Sequence, residues 1–347
     1  MQASKLHTGI FTVLALSCTI VATAQEITET ATHSLQEVAE GVYYAVGNGT
    51  ALYTMSNALI IERDEDVVIV DSHITPAAGR ALLDSIRVLT NKPVTTMIQS
   101  HFHYDHTNGT PAFGPDLEII GHEVTYQKLT GDPANEPTFK SSLAGFDNRV
   151  KRLQEQVAAA NNAQERKELQ TQLDFWIAHV KAQEEIEFRP PTTTLRNNMT
   201  LYKGGREIQL HYFGRAHTGG DLVIYLPKEK IAFTGDMYLG RISYAGDGYA
   251  AEWADTLQGL KQLDFDMALP GHGDGPIRDR SIIDNVQAYY TDLTEEVRRL
   301  KALGYSAEET AARADLRQHA DTLGVTDLGV PLVYVTRMYG VMDGTIQ

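Results

Sequence analysis

Cysteine is almost absent from this sequence. The one cysteine, Cys18, lies in an N-terminal segment with a positive charge at Lys5, an apolar run over residues 10–21, and Ala-Thr-Ala at positions 22–24. That order is typical of a secretory signal peptide, which is cut after the small residues. We therefore predict a signal peptide over residues 1–24 and a periplasmic or secreted protein. A buried N-terminal helix and a lipoprotein signal at Cys18 are the weaker alternatives.

The sequence also has no long hydrophobic run. The apolar segment at residues 10–21 is too short to span a bilayer as a mature helix, so we expect no membrane contact in the mature form. Cleavage after Ala24 would remove the only cysteine. The mature chain would then have no disulfide, no thiolate metal ligand and no cysteine nucleophile.

Basic residues are few. Lysine and arginine number 30 against 45 acidic residues, which gives a net charge of −15 in a chain of 347 residues. Nucleic acid and anionic membrane surfaces both need a basic face, so neither is expected as a main partner. The sequence also shows no Gly-rich phosphate loop and no Ser-His-Asp pattern. A small-molecule substrate is the expected partner.

Short apolar runs alternate with helical patterns along the chain, which predicts an α/β fold. After a loose polar lead-in at residues 25–40, we predict strands at 42–46, 58–61, 67–70, 94–99, 117–120, 192–195, 208–213, 222–226, 231–233 and 267–269. Helices are predicted at 76–89 and 253–263, with C-terminal helices within about 280–320. No linker interrupts residues 25–347, which we interpret as one domain.

Residues from about 140 to 188 form an insertion with a different composition, rich in Ala, Glu, Gln, Lys and Leu. Apolar residues recur at helical spacing, and Asn161-Asn162 predicts a break, so the segment is interpreted as a helical hairpin. It carries no cluster of metal ligands. A packed spacer is slightly favoured, and a lid over the site or a homodimer contact is the alternative.

Four potential metal ligands fall within six residues, in His101-Phe102-His103-Tyr104-Asp105-His106. They follow an apolar strand, where a loop can direct neighbouring side chains toward one point. Imidazole and carboxylate groups suit zinc and similar metals. A His-rich surface loop without a metal is the alternative.

Three more candidate ligands, His217, Asp236 and His272, also come just after apolar runs. Glycines flank each of them, for example at Gly235 and Gly271. Glycine lets the backbone pass close to a crowded centre. The repeated placement favours a metal site over a chance cluster.

The ordered motifs HFHYDH, GRAHTGGDLVIYLP, FTGD and LPGHG resemble the ligand motifs of the metallo-β-lactamase-fold superfamily. The resemblance covers most of residues 41–275 and implies a four-layered αβ/βα sandwich with metals at one edge between two sheets. It implies that Asp71 is a structural aspartate behind the site. It also implies a first metal held by His101, His103 and His217, a second held by Asp105, His106 and His272, and Asp236 bridging both.

The bridging aspartate resembles the glyoxalase II, lactonase and phosphodiesterase-like branches of that superfamily, because several true β-lactamases have cysteine at the position of Asp236. The resemblance thus implies two zinc ions per chain, with iron or manganese as alternatives. The predicted activity is attack by a metal-bound hydroxide on an ester, lactone, thioester or lactam carbonyl, with Asp105 holding the proton of the nucleophile. A phosphodiesterase, an iron-dependent persulfide oxygenase and a non-catalytic metal-binding protein are the competing hypotheses.

Some further residues are weaker candidates for the site. His73 either lines the pocket or caps the next helix, and His122 is interpreted as structural. A tyrosine among Tyr238, Tyr244 and Tyr249 could bond a substrate carbonyl, although packing is the simpler role for any one of them. We expect that His7, His33, His179, His211 and His319 are not ligands.

Overall fold

The computed structural model describes residues 27–49 and 51–346. The predicted signal peptide, residues 1–24, lies outside the described residues. Within the described part of the chain, none of the helices combines the length and apolar character needed to cross a membrane.

Within residues 27–49 and 51–346, the first sheet has eight strands that neighbour one another in chain order. They are β1 (Ile27–Glu29), β2 (His33–Ala39), β3 (Val42–Gly47), β4 (Ala58–Glu62), β5 (Val67–Val70), β6 (Val94–Gln99), β7 (Glu118–His122) and β8 (Thr193–Leu195). Pairing is antiparallel from β1 to β5 and parallel from β5 to β8. The parallel strands β5 and β6 therefore end at the same edge of the sheet.

The second sheet has five strands in the order β13-β12-β11-β10-β9. They are β9 (Asn198–Leu201), β10 (Ile208–His211), β11 (Val223–Leu226), β12 (Ile231–Gly235) and β13 (Met267–Pro270). Only the pair β12 and β13 is parallel. These two strands also end side by side.

Ten α-helices occur in the described residues. They are α1 (Pro76–Leu89), α2 (Tyr104–Thr107), α3 (Glu123–Thr130), α4 (Pro137–Ala159), α5 (Ala163–Ala182), α6 (Ala250–Lys261), α7 (Ile282–Ala302), α8 (Ala307–Arg313), α9 (Ala320–Leu323) and α10 (Leu332–Met342). Local signals explain several boundaries. Thr75 caps α1 by accepting a hydrogen bond from the Ala78 amide, and Asn162 caps α5 by accepting one from the Glu165 amide at 2.9 Å.

Three buried apolar clusters hold the layers together. The two sheets pack face to face through residues such as Val70 and Ile98 of the first sheet and Phe233 of the second. Leu82 of α1 packs on the outer face of the first sheet, and Trp253 of α6 packs on the outer face of the second. The order helix, sheet, sheet, helix confirms the predicted four-layered αβ/βα sandwich.

The prediction of a loose lead-in at residues 25–40 was wrong. Residues 27–29 and 33–39 form β1 and β2, and β2 pairs with β3 along most of its length. Burial alternates at the start of β2, where His33 and Leu35 are buried. Because one of these inward residues is a histidine, the alternation of apolar residues was too weak to indicate a strand.

Four helices were not predicted, namely α2, α3, α9 and α10. The helical hairpin consists of α4 and α5, and it begins at Pro137 rather than near residue 140. The C-terminal helices likewise extend beyond residue 320, to Met342 in α10. The first turn of α4 lies against the loop that contains Tyr244 and Asp247.

Candidate metal centre

All seven predicted ligands meet at the edge where β5, β6, β12 and β13 end. His101 lies two residues after β6, Asp236 directly after β12, and His272 two residues after β13. The short helix α2 and its N-cap carry His103, Asp105 and His106, and His217 lies between β10 and β11. Six of the seven are buried, and His272 is partly exposed.

The first group consists of His101, His103 and His217, one ligand atom from each lying within 4.8 Å of the others. His103 Nδ1 and His217 Nε2 are 2.8 Å apart. This is the group predicted to hold the first metal. The structure brings its three members together as expected.

The second group consists of Asp105, His106 and His272, again with ligand atoms within 4.8 Å of one another. His272 Nε2 lies 3.1 Å from Asp105 Oδ2 and 3.4 Å from His106 Nε2. Burial lowers the pKa of His272, but the carboxylates of Asp236 and Asp105 outweigh burial and raise it to about 10. The group is thus electrostatically suited to a cation.

Asp236 lies between the two groups. Its Oδ2 is 3.6 Å from His217 Nε2 of the first group and 3.1 Å from His272 Nε2 of the second. Its Oδ1 is 3.4 Å from His106 Nε2. Gly271 makes this approach possible, since a Cβ at that position would lie 2.3 Å from Asp236 Oδ1. The position is the one expected of a bridging carboxylate.

Each of the five histidines has a partner at the ring nitrogen that points away from the centre. His106 Nδ1 lies 2.7 Å from Asp71 Oδ2, and His101 Nδ1 lies 3.0 Å from the Ser100 hydroxyl, which itself donates to Asp71. The remaining pairs are His103 Nε2 with Asp247 Oδ2 at 3.1 Å, His217 Nδ1 with the Tyr244 carbonyl at 2.8 Å, and His272 Nδ1 with the Met55 carbonyl at 2.9 Å. Such partners fix which nitrogen presents its lone pair to a metal.

The histidine ring nitrogens that face the centre indicate whether the site fits a cation. The Tyr244 carbonyl can only accept, so His217 carries its proton on Nδ1 and presents a lone pair at Nε2. Burial lowers the pKa of His217 to about 4, so the ring is neutral at pH 7. The Asp247 carboxylate accepts from His103 Nε2, so His103 Nδ1 is the nitrogen that faces His217 Nε2. In two neutral rings both of these nitrogens present lone pairs, and lone pairs 2.8 Å apart repel each other unless a cation lies between them.

Two further buried atoms support this fit. His101 Nε2 and Asp236 Oδ1 have no hydrogen-bond partner among the described residues. Buried polar atoms without partners are costly and demand an explanation. Metal coordination would satisfy both, so the donor set fits two divalent ions.

Asp71 stands behind the centre, at the place that the resemblance implied for it. It accepts hydrogen bonds from the Ser100 amide at 2.8 Å, from the Ser100 hydroxyl at 2.7 Å and from His106. Its φ of 64° is in the left-handed region, which is uncommon for a residue with a Cβ. The strained backbone at the end of β5 thus directs the buried Asp71 carboxylate toward His106 of the second group. The same carboxylate binds Ser100, which contacts His101 of the first group.

Residues 55–57 support the second group from the opposite side. The Met55 carbonyl accepts from His272, and the Ser56 hydroxyl donates to the Asp105 carbonyl at 2.6 Å. Asn57 Nδ2 donates to the Pro270 and Gly273 carbonyls, on either side of His272, at 3.2 and 3.0 Å. One short segment therefore positions two of the three members of that group.

A cleft with a volume of about 360 Å³ opens onto the centre. Besides ligand residues, its lining includes Met55, Tyr104, Thr138, Ser141, Ser142, Leu239, Arg241, Ile242 and Tyr244. Thr138, Ser141 and Ser142 belong to α4, so the insertion forms one wall of the cleft. Since the walls are both apolar and polar, a substrate with an apolar part would fit.

The remaining candidates lie outside the ligand set. His73 takes neither role considered for it, because Thr75 caps α1 and the buried His73 ring lies 2.8 Å from His33 Nε2. His122 caps α3 by accepting from the Val124 amide, which is a structural role. Of the three tyrosines considered, Tyr244 lines the cleft. Tyr238 is buried in the core cluster that contains Trp253, and Tyr249 is buried at the start of α6.

Sequence analysis missed several residues that support the site, chiefly Asp247, Met55 and Ser56. Asp247 follows Asp236 by only a short loop, so a carboxylate close in sequence was a usable signal. Met55 and His272 are separated by 217 positions, and no local pattern indicates their contact.

Comparison with known proteins agrees with this geometry. Residues 53–272 match the family model described as the metallo-beta-lactamase superfamily. A linear primary-alkylsulfatase of Pseudomonas sp. (strain ATCC 19151) is 24% identical over 75% of this chain and 50% of its own length. A type 2 metallo-beta-lactamase of Bacillus sp. (strain 170) is 20% identical over 71% of this chain and 78% of its own length.

Among solved structures, the stereoselective inverting sec-alkylsulfatase Pisa1 from Pseudomonas sp. is similar, with a TM-score of 0.62 and 19% identity over 88% of this chain and 50% of that one. This likeness shows the fold. The chain spans about half the length of the alkylsulfatases it matches. The match over residues 53–272, together with the ligand-type side chains gathered at one sheet edge, shows that the chain belongs to the metallo-beta-lactamase superfamily.

Proposed function

We propose that this protein is an exported hydrolase with two zinc ions that attacks the carbonyl of an ester, lactone, thioester or lactam. One observation carries the proposal. Ring nitrogens of two histidine groups and the Asp236 carboxylate between them converge on the floor of an open cleft. Neutral imidazoles facing one another with carboxylates among them are the donors of a two-metal centre.

The site residues have separate roles in this proposal. His101, His103 and His217 would hold one metal, Asp105, His106 and His272 the other, and Asp236 both. Two dications bound by these residues would supply a water of lowered pKa and would polarise an oxygen of the substrate. Asp105 faces the cleft and is placed to hold the proton that the attacking water gives up. The Tyr244 hydroxyl stands at the cleft wall, where it can bond a substrate oxygen.

Zinc is proposed because the donors are five imidazoles and two carboxylates, a set that zinc favours strongly. Iron and manganese accept the same donors and are the alternatives. Small-molecule substrates fit the cleft volume of about 360 Å³.

Export is proposed on the pattern of residues 1–24 alone. The intact mass of protein recovered from the periplasm should correspond to a chain that starts near Gln25. A mass that includes residues 1–24 would refute processing.

The test of the activity is a panel of chromogenic lactam, lactone, thioester and phosphodiester substrates, used with zinc-loaded protein. We expect turnover of a carbonyl substrate, its loss on chelation and its return with zinc. Asp105→Asn should lower kcat by at least about 100-fold, since general acid–base groups contribute about that much. Fully loaded protein that turns over only the phosphodiester, or nothing, would contradict the proposal.

Hydrolysis of an alkyl sulfate is a second candidate, favoured by Arg241. This exposed arginine lines the cleft, and no ion pair or hydrogen bond joins it to another described residue. Its guanidinium could bind a sulfate oxygen pair, while Leu239 and Ile242 receive an alkyl chain. The alkylsulfatase relatives are consistent with this.

Adding an alkyl sulfate to the panel tests the second candidate. Arg241→Ala should raise KM for the alkyl sulfate about tenfold or more and leave KM for a neutral ester within about twofold, since a charged hydrogen bond contributes about 1.5–3 kcal/mol. Arg298→Ala, at an exposed position on α7 outside the cleft, is the matched control. No turnover of the alkyl sulfate, or equal effects on both substrates, would eliminate this candidate.

A further inference from the structure

The first turn of α4 contacts the loop that follows Asp236. Thr138 Oγ1 donates a hydrogen bond to the carboxylate of Asp247, and it also lies 3.3 Å from the Tyr244 hydroxyl. Thr138 thus ties the base of the helical insertion to two residues of one loop. Thr138 is half-buried, and the Asp247 side chain is 15% exposed, so water competes little for this contact.

The same two loop residues support the first histidine group. Asp247 Oδ2 accepts from His103 Nε2 at 3.1 Å, and the Tyr244 carbonyl accepts from His217 Nδ1 at 2.8 Å. The Asp247 oxygen bonded to His103 is also the one that accepts from Thr138. A displacement of Thr138 would therefore disturb the hydrogen bonds at the outer nitrogens of His103 and His217.

We propose that Thr138 is a positioning residue for the first metal and that it acts through Asp247. This inference rests on the proposed two-metal site. By fixing the Asp247 carboxylate, Thr138 sets the orientation of His103 and keeps its Nδ1 directed at the centre. The helical insertion, which has no ligand of its own, becomes part of the support of the metal site. Outer partners of metal-bound histidines typically change metal affinity by about 10- to 100-fold.

A purely structural role for this turn makes a different prediction. Phe139, the next residue, is buried against Tyr104 with ring centroids 5.4 Å apart, so the turn also contributes to packing. If Thr138 contributed only to packing, its loss would lower stability without selectively weakening one metal. The test must therefore resolve the two metals.

The experiment uses zinc titrations of the apo full-length protein against a chromogenic chelator, with cobalt(II) absorption spectra as an independent report of coordination at each step. Thr138→Val removes the hydroxyl and keeps the shape, whereas Thr138→Ser keeps the hydroxyl. Thr171→Val is the matched control, because Thr171 is exposed on α5 and bonds only the Lys167 carbonyl among the described residues. Circular dichroism checks that each variant is folded.

We expect Thr138→Val to weaken one of the two zinc-binding steps about tenfold and to alter the cobalt spectrum of that step alone. Thr138→Ser and Thr171→Val should stay within about twofold of the wild type. In an Asp247→Ala background, Thr138→Val should weaken zinc binding further by less than about twofold. The reason is that the effects of substitutions along one series of hydrogen bonds are not additive.

Two results would overturn the inference. One is a Thr138→Val protein whose two zinc affinities and cobalt spectra match the wild type. The other is a full tenfold effect of Thr138→Val when Asp247 is already alanine. If Thr138→Val does not fold, Asp247→Ala is measured instead. An Asp247→Ala protein in which neither zinc-binding step is weakened would overturn the inference. A wild-type protein that binds zinc while these variants bind it equally well would reject only this inference. A wild type that binds no zinc would reject the proposed function with it.

Discussion

At the scale of single residues, the centre depends on Asp236 lying between two histidine groups. Its carboxylate oxygens lie 3.1–3.6 Å from nitrogens of His106, His217 and His272. A carboxylate in that position would both bind two dications and offset their mutual repulsion. The charge of Asp236 should therefore contribute more to metal binding than its shape does.

Asp236→Asn tests this, because the change keeps the size and removes the charge. The second metal should be lost first, since two histidines and Asp105 remain for it, whereas the first keeps three histidines. Activity should fall with metal occupancy and partly return at high zinc. Calorimetric titration of the apo variant measures both affinities, with the exposed Asp279→Asn as the control. Two sites of unchanged affinity would show that Asp236 is not a bridge.

A second residue-scale prediction concerns the buried ion pair of Arg63 and Asp66, whose nearest atoms are 2.7 Å apart. Burial raises the pKa of Asp66, but hydrogen bonds from Arg63 and Thr95 outweigh burial and lower it to about 2. Because the folded pKa lies below the unfolded value, the pair stabilises the protein above about pH 4, and this contribution is lost as the pH falls toward 2.

Asp66→Asn should therefore lower the free energy of unfolding by about 2 kcal/mol at pH 7 and by less at pH 3. Urea unfolding at both pH values measures the difference. The exposed Asp84→Asn, which removes a surface ion pair with Arg87, should cost less than about 1 kcal/mol. An Asp66→Asn deficit that is equal or larger at pH 3 would contradict the assigned pKa shift.

At the scale of elements, the helical insertion has two distinct parts. Its base, around Thr138 and Ser142, lines the cleft and bonds Asp247 and Tyr104. Its tip, beyond the buried Leu153 and Leu173, is largely exposed. The base therefore belongs to the site, whereas the tip is free to serve as a spacer or a contact between two copies.

Replacing residues 156–170 with a short Gly/Ser turn separates these parts. Zinc stoichiometry and both affinities should stay within about twofold of the wild type, because every cleft-lining residue and both buried leucines remain. Metal analysis and circular dichroism measure the outcome. Loss of zinc from a folded deletion protein would show that the tip also supports the metal centre.

The elements that sequence analysis predicted well are those with strong local signals. Thr75 and Pro76 mark the start of α1, and Asn162 marks the start of α5. The seven candidate ligands were found because they cluster at strand ends. β2 was missed because its inward positions include His33. Met55 and Thr138 were missed because tertiary contacts alone bring them to the site.

At the scale of the whole molecule, the metal centre joins the two sheets. His101 and His106 follow a strand of the first sheet, while Asp236 and His272 follow strands of the second. A ligand that binds the folded state alone stabilises it by about 2.7 kcal/mol per site at 100 times its dissociation constant. Metals held here should thus stabilise the whole fold.

Zinc should therefore raise the midpoint of urea unfolding above that of the apo protein, and chelation should reverse the change. Asp236→Asn should show a smaller increase at the same zinc concentration, because it binds the second metal less tightly. Equal midpoints for apo and zinc-loaded wild type would mean that zinc does not bind preferentially to the folded chain.

The central claim is that the seven side chains form a site for two metals, and metal counting tests it most directly. Elemental analysis of protein equilibrated with excess zinc and freed of unbound metal should give two zinc ions per chain. His272→Ala should give one, because it removes a ligand of the second metal and leaves His101, His103 and His217 intact. A wild-type protein that holds at most one ion at saturating zinc would contradict the two-metal account.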